Sequence, residues 1–219
     1  MKTACKFCQK FGGAAGRDQN ADHVLFESEN FVVVPTVGSI VPGWVLVVPR
    51  SHFLSVGYFD ETLLREFIRI QNTAVKALQE CFGPVSIFEH GAVRERESVG
   101  CGVDHAHLHI VATEHDLMSG VKVSGANKLQ WRRAAGIQAA RSCVSEQMPY
   151  IFVQPPSGGA WIGSAEAIES QLMRKVVAAQ TGQLDCWDWK AYPFSNNVRE
   201  TVEKLEAWKS ANAMMPSIV

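Results

Sequence analysis

Three histidines stand on alternate positions in Asp104-His105-Ala106-His107-Leu108-His109-Ile110-Val111. In an extended strand successive side chains face opposite ways, so His105, His107 and His109 share one face while Ala106, Leu108 and Ile110 share the other. With 7 histidines in 219 residues, such a run has a chance expectation on the order of 0.01. A face of three imidazoles admits metal binding, nucleophilic or acid–base catalysis, or pH sensing. Immediately upstream lies Ser98-Val99-Gly100-Cys101-Gly102-Val103, whose glycines let backbone N–H groups come close to a ligand, which suits an oxyanion. A neutral imidazole facing such a pocket is a competent nucleophile toward phosphorus, giving a phosphoramidate that water or a second acceptor then breaks.

The second group with chemistry in it is Cys5-x-x-Cys8. The N-terminus has no long apolar stretch behind its basic residue, so it does not read as a secretory signal, and the longest apolar run, Ile40 to Pro49, is too short to cross a membrane. A cytoplasmic location is therefore expected. There the 6 cysteines stay reduced, and the close pair reads as metal-binding or redox-active rather than as a structural disulfide. The 21 basic and 22 acidic residues nearly cancel, which argues against a general nucleic-acid binder or a protein held to an anionic membrane. An anionic ligand must then be received by local charge.

The elements that would position these residues follow from periodicity. Two β-rich runs, His23 to Phe26 and Asn30 to Pro35, suggest a hairpin. Pro42-Gly43 leads into Trp44-Val45-Leu46-Val47-Val48-Pro49, a strand apolar enough to be central. Asp60 caps a helix to about Phe82, with Leu64, Phe67, Ile68, Val75, Leu78 and Phe82 in phase and Gly83-Pro84 as its stop. Val85 to Glu89 is a strand and Gly91 to Asp104 a loop that delivers the chain into the histidine strand. Gly120 to Met148 is an irregular, basic connection carrying Lys122, Lys128, Arg132, Arg133 and Arg141. Pro149 to Val153 reads as one more strand, Pro155 to Gly163 as a flexible turn, and Ala165 to Gln180 and Asn197 to about Ala211 as helices. The expected fold class is α+β, a central, mainly antiparallel sheet with a covering helix and a C-terminal helical extension. The expected division is 1–115, a connecting segment at 116–148, and an α/β extension at 149–219 packed on the core.

His105-x-His107-x-His109 followed by Ile110-Val111, and preceded by Pro42-Gly43-Trp44-Val45-Leu46-Val47-Val48-Pro49-Arg50-Ser51-His52, resembles the histidine-triad (HIT) superfamily of nucleotide hydrolases and nucleotidyl transferases. The resemblance covers roughly residues 1 to 115. It implies a HIT-like fold in which His107 attacks a nucleotide α-phosphate and holds the nucleotidyl group, and His109 contacts the phosphate and assists the leaving group. Gly100, Cys101, Gly102 and Val103 would supply phosphate contacts, stabilising charge on the equatorial oxygens. Members with an N-terminal cysteine pair imply a structural zinc site built from Cys5, Cys8, His52 and His105. Where the family commonly has histidine after Pro-Gly, this chain has Trp44. It has Cys101 and Gly102 where Gln and Ser or Thr are frequent, and no acidic residue in Pro35-Thr36-Val37, near which small members place one for the ribose.

His90, at a strand end, and Arg94 in the following loop are further candidates for phosphate contact, Arg96 beside them. The aromatic cluster Trp187, Trp189 and Tyr192 reads either as a platform for a base or as packing for the extension. Cys101 reads as loop packing. The expected ligand is a small-molecule nucleotide, with no membrane partner and a possible homodimer. Two other readings stay open from the sequence: a nucleotide-binding module without turnover, and a zinc-stabilised interaction protein.

Overall fold

Short, mostly apolar runs become eight strands among the described residues: β1 (Phe26–Glu27), β2 (Phe31–Pro35), β3 (Trp44–Pro49), β4 (Val85–Gly91), β5 (Leu108–Ala112), β6 (Trp131–Ala134), β7 (Tyr150–Gln154) and β8 (Ala160–Ser164). The structure, a computed structural model, describes residues 5–12, 23–95, 103–123, 129–165 and 168–213. The strands form one sheet in the order β1-β2-β3-β5-β4-β7-β8-β6, every neighbouring pair antiparallel. Helices are α1 (Lys6–Phe11), α2 (Glu61–Phe82), α3 (Leu117–Val123), α4 (Ala140–Ser145), α5 (Leu172–Gln180) and α6 (Ser195–Ala213). The α+β class with a central antiparallel sheet and a covering helix is the one expected. Among the described residues no helix is long and apolar enough to cross a membrane.

Alternation along the strands divides the core in two. Val33, Val47, Ile87, Ala106, Leu108 and Ile110 face α2, whose stripe Leu64, Phe67, Ile70, Ala74, Ala77 and Leu78 is buried. Each fully buried Leu or Phe there contributes about 1.5–3 kcal/mol. Asp60 accepts a hydrogen bond from the Leu63 N–H at 2.8 Å and starts this helix; Gly83 ends it. The opposite face carries two apolar patches. Trp44, Phe88, Val111, Ile151 and Val153 lie under α3 and α5, while Val32, Val34, Leu46 and Val48 lie against Phe11 of α1. The histidines sit on this second face.

Four expectations shift. The regular strand begins at Leu108, so His105 and His107 lie just before it, though all three triad histidines are buried. The turn read over Pro155 to Gly163 stops short: Gly158 and Gly159, at φ +84° and +74°, close a hairpin, and Trp161 to Gly163 pair with β7 as part of β8. The helix read from Ala165 starts at Leu172, because the Ala165 N–H is still bonded to the Pro149 carbonyl at 2.8 Å in continuation of the β7–β8 ladder. Within the segment read as irregular, residues 131–134 form β6 and pair with β8.

The turn before β3 decides where Trp44 goes. Gly43 has φ +77°, and a Cβ on it would lie 2.8 Å from the Ala112 Cβ and from the Phe82 ring. Its N–H donates to Thr201 Oγ1 of α6 at 2.8 Å. The C-terminal helix thus holds the turn that delivers Trp44 to the histidine face.

Candidate active site and metal centre

Helix α1 and the segments after β3 and before β5 converge on four donors. The ligating atoms of Cys5, Cys8, His52 and His105 all lie within 4.8 Å of one another. Cys5 Sγ is 3.3 Å from His105 Nδ1, and Cys8 Sγ is 3.4 Å from His52 Nδ1 and 3.5 Å from His105 Nδ1. Tetrahedral zinc with sulfur and nitrogen ligands separates S and N by about 3.6 Å, so the cluster has the dimensions of that polyhedron. His105 Nε2 is 2.8 Å from the Pro49 carbonyl, which can only accept, so Nε2 bears the proton and Nδ1 presents its lone pair to the thiols. Burial, then the adjacent Cys5 thiol, push the Cys8 thiol up to about 11. A divalent cation would reverse that preference and favour thiolates. The donor set therefore fits a metal ion, and the cysteines and both histidines expected for it are the ones brought together.

Past His105 each triad imidazole has its protonation fixed by one neighbour. His107 Nδ1 lies 2.7 Å from the His105 carbonyl, so Nδ1 carries the hydrogen and Nε2 the lone pair. His109 Nδ1 lies 3.1 Å from Trp44 Nε1, a donor that cannot accept; here Nδ1 is the bare nitrogen and Nε2 carries the hydrogen. That Nε2 is buried with no protein acceptor among the described residues. The His109 ring stacks on Phe88, centroids 4.4 Å apart at 11°. Burial is the first cause that lowers the pKa of each triad member, His105 to about 4, so all three are neutral at pH 7.

A cavity of about 160 Å³ opens on His107 and His109. One wall is α1, with Lys6, Phe7, Lys10 and Phe11; another is the end of β2, from Val34 to Val37. Phe7 also packs edge-on against His105 and His107, at 5.5 and 5.6 Å. The third wall comes from the far end of the chain: Arg174 of α5 and Trp189. No carboxylate lines this cavity among the described residues. Lys6, Lys10 and Arg174 give it local positive charge in a chain that is nearly neutral as a whole.

Of the expected phosphate contacts, Val103 lines the cavity, whereas Arg94 is exposed and lies outside it. Gly100, Cys101, Gly102 and Arg96 lie outside the described residues. His90 is buried on the same face as His109, ring centroids 6.5 Å apart, and neither of its ring nitrogens has a protein partner among the described residues. Its neighbour Glu89 faces the other side, accepting from the Val56 N–H at 2.8 Å and the Tyr150 hydroxyl at 2.6 Å. Arg174 was not singled out by sequence reasoning. The only signal for it was a lone arginine in the apolar run Leu172-Met173-Arg174-Lys175-Val176-Val177, beside a residue on the solvent face.

The family described as "HIT domain" matches residues 17–116. The protein named "Protein hit" of Bacillus subtilis (strain 168) is 22% identical over 107 residues, 49% of this chain and 69% of that protein. Among solved structures, a HIT family hydrolase from Clostridium thermocellum is 20% identical, covering 52% of this chain and 93% of its own, with a TM-score of 0.39. A zinc-bound histidine triad family protein from Mycobacterium smegmatis is 19% identical, covering 65% and 94%, with a TM-score of 0.40. Residues 17–116, with His105, His107 and His109 near their end, are thus the part of the chain that matches the HIT domain.

Proposed function

We propose that this protein is a nucleotide hydrolase or nucleotidyl transferase that works at the α-phosphate through a covalent nucleotidyl-histidine on His107. The HIT domain supports the class, since its members are in general nucleotide hydrolases or transferases. The observation that carries the step is the bond from His107 Nδ1–H to the His105 carbonyl, 2.7 Å, in a residue that lines the cavity. It leaves Nε2 as the nucleophile. Attack forms the Nε2–P bond as the bond from phosphorus to the leaving oxygen breaks, and the electron pair departs with that oxygen. The imidazolium so formed keeps its Nδ1–H on the carbonyl, which stabilises the new charge. Water or another acceptor then attacks phosphorus with loss of a proton, and Nε2 recovers its lone pair.

His109 Nε2–H is a hydrogen-bond donor for a phosphoryl oxygen, and Arg174, Lys6 and Lys10 add positive charge where negative charge builds up. The same reading gives phosphate contacts to Gly100, Cys101, Gly102 and Val103, with His90 and Arg94 as outer groups. Cys5, Cys8, His52 and His105 would hold zinc, whose charge keeps both thiols ionised and whose bonds tie α1 to the catalytic segment. The ligand is a small nucleotide, and the reading places the chain in the cytoplasm.

Turnover of dinucleoside polyphosphates and nucleotide sugars by wild type and His107→Ala tests the reading. Loss of activity by a factor of roughly 1,000 or more in the variant is expected. Near-normal activity of His107→Ala on every substrate overturns it. Tight nucleotide binding by wild type with no product would favour a binding module without turnover, the reading motivated by Trp44 in place of histidine.

A further inference from the structure

Trp44, His109 and Arg174 form a buried stack that the triad chemistry alone does not require. Trp44 is fully buried, Arg174 is 1% exposed and His109 3%. The Arg174 guanidinium lies 4.9 Å from the centroid of the Trp44 ring, and its Nε–H and Nη2–H groups donate to the carbonyls of Trp187, at 2.8 Å, and Gly38. Gly38 has φ +70°, and a Cβ there would meet both the Trp189 backbone and the Arg174 guanidinium, so the carbonyl is brought close by a residue without a side chain. Phe88 closes the other sides, 5.9 Å edge-on from Trp44 and stacked on His109. The indole has one place to go. Its Nε1–H points at His109 Nδ1, 3.1 Å away.

An indole nitrogen never accepts, so a proton on His109 Nδ1 would set two donors head to head. We propose that Trp44, held by Arg174, locks His109 as a neutral Nε2–H donor, and that the site is therefore built for nucleotides whose leaving group departs as a stable anion rather than for phosphoramidates. The inference rests on the nucleotidyl-histidine reading of His107. A phosphate or polyphosphate oxygen leaves with its electron pair and needs no proton, its conjugate acid titrating near about 6. An amine leaving from a P–N bond has a conjugate acid near about 10 and must take a proton as it departs. A locked His109 has only Nε2–H to give, and giving it would leave an imidazolate. Among the described residues, the charged or titratable groups facing His109 are His107 on its own segment, His90 on β4, Arg174 on α5 and, across the cavity, Lys6 and Lys10 of α1. Burial, then those three neighbours, hold its pKa well below the ordinary value, in keeping with the lock.

Two measurements on the full chain test this. Long-range ¹⁵N–¹H correlation of the histidine rings in wild type is expected to show His109 as the Nε2–H tautomer, still unprotonated below the ordinary imidazole range. In Trp44→Phe, which keeps an aromatic ring and removes the donor, the ring is expected to mix tautomers and to titrate upward. Then kcat/KM is compared for a dinucleoside polyphosphate and a phosphoramidate of the same nucleoside. Wild type is expected to favour the polyphosphate by roughly a hundredfold or more, the usual worth of a missing general acid. Trp44→Phe and Arg174→Met are expected to narrow that ratio by about tenfold, most at low pH. A wild-type His109 that carries Nδ1–H, or equal turnover of both substrates, overturns the inference. If no substrate is turned over or trapped on His107, the functional reading fails by itself; the tautomer still decides the lock, Nε2–H supporting it and Nδ1–H refuting it.

Discussion

Glu89 and His90 are neighbours in β4 that face opposite sides of the sheet, and their buried positions give them opposite dependences on pH. Burial raises the Glu89 carboxyl to about 7 from an ordinary 4.5, against the lowering effect of its bonds from Tyr150 and Val56. The folded chain keeps this proton where the unfolded chain has lost it. Stability is therefore lost as pH rises from about 4.5 to 7, by roughly 1.4 kcal/mol per unit and roughly 3 kcal/mol in all. His90 is held down to about 3 from 6.5, burial first and His107 second, so its contribution is present above 6.5 and lost as pH falls. The two slopes oppose one another between about 4.5 and 6.5, and single variants separate them. Denaturant unfolding of wild type and Glu89→Gln near pH 5 and pH 7.5 is expected to shift in the variant's favour by roughly 2 kcal/mol across that interval. A difference independent of pH would contradict a protonated Glu89. Single bonds likewise divide the triad: His105 Nε2 to Pro49, His107 Nδ1 to His105, His109 Nδ1 from Trp44.

Among the elements, α1 matters most to the site and is too short to stand alone. A helix of 6 residues has no stability of its own in water, and Cys5 at its start makes no side-chain cap. What holds it is Phe11 on the β2–β3 patch and the Cys5–Cys8–His52–His105 cluster. Chelation, or Cys8→Ser, is expected to remove hydrogen-exchange protection from residues 6–11 and to raise KM, since Lys6 and Lys10 leave the cavity with the helix. One zinc per chain in protein purified without chelator is the companion result; protection at 6–11 that survives chelation would contradict a metal tether. The elements near the site were legible because their signals are local. The triad alternates with period 2, α2 has a cap, a stripe and a glycine stop, and the cysteine pair is three residues apart in sequence. β6 and β8 were not, since a strand such as Trp131 to Ala134, half exposed, exists only because Ala160 to Gly163 lies beside it. Arg174 was equally hidden: nothing in α5 itself says that its arginine meets Trp44 across the sheet.

Over the whole molecule, one sheet runs through the residues that match the HIT domain and on into the C-terminal half. β7 pairs with β4 from Ile87↔Gln154 to Gly91↔Tyr150, so the β4 edge is taken within the chain, and a homodimer has to use another surface. The later elements also finish the site. α6 holds the Gly43 turn through Thr201, α5 supplies Arg174, and the segment after it supplies Trp189. A fragment ending at residue 116 therefore bares the β4 edge and the apolar patch around Trp44 and Phe88. It is expected to aggregate or to unfold without a cooperative transition, as followed by circular dichroism against denaturant. A cooperative, monomeric fragment would contradict the single shared sheet as the basis of stability. The nearly neutral chain, net charge −1, concentrates Lys6, Lys10 and Arg174 at one cavity, and these come from its two ends, outside the matched HIT residues.

The most direct measurement is to quench the protein during turnover of a slow nucleotide substrate labelled at the α-phosphorus and to locate the label by peptide mass spectrometry. A nucleotidyl group, labile to acid and stable to base, is expected on the peptide that contains His107, and none in His107→Ala. Label on another residue, or full turnover by His107→Ala with no adduct anywhere, would contradict it.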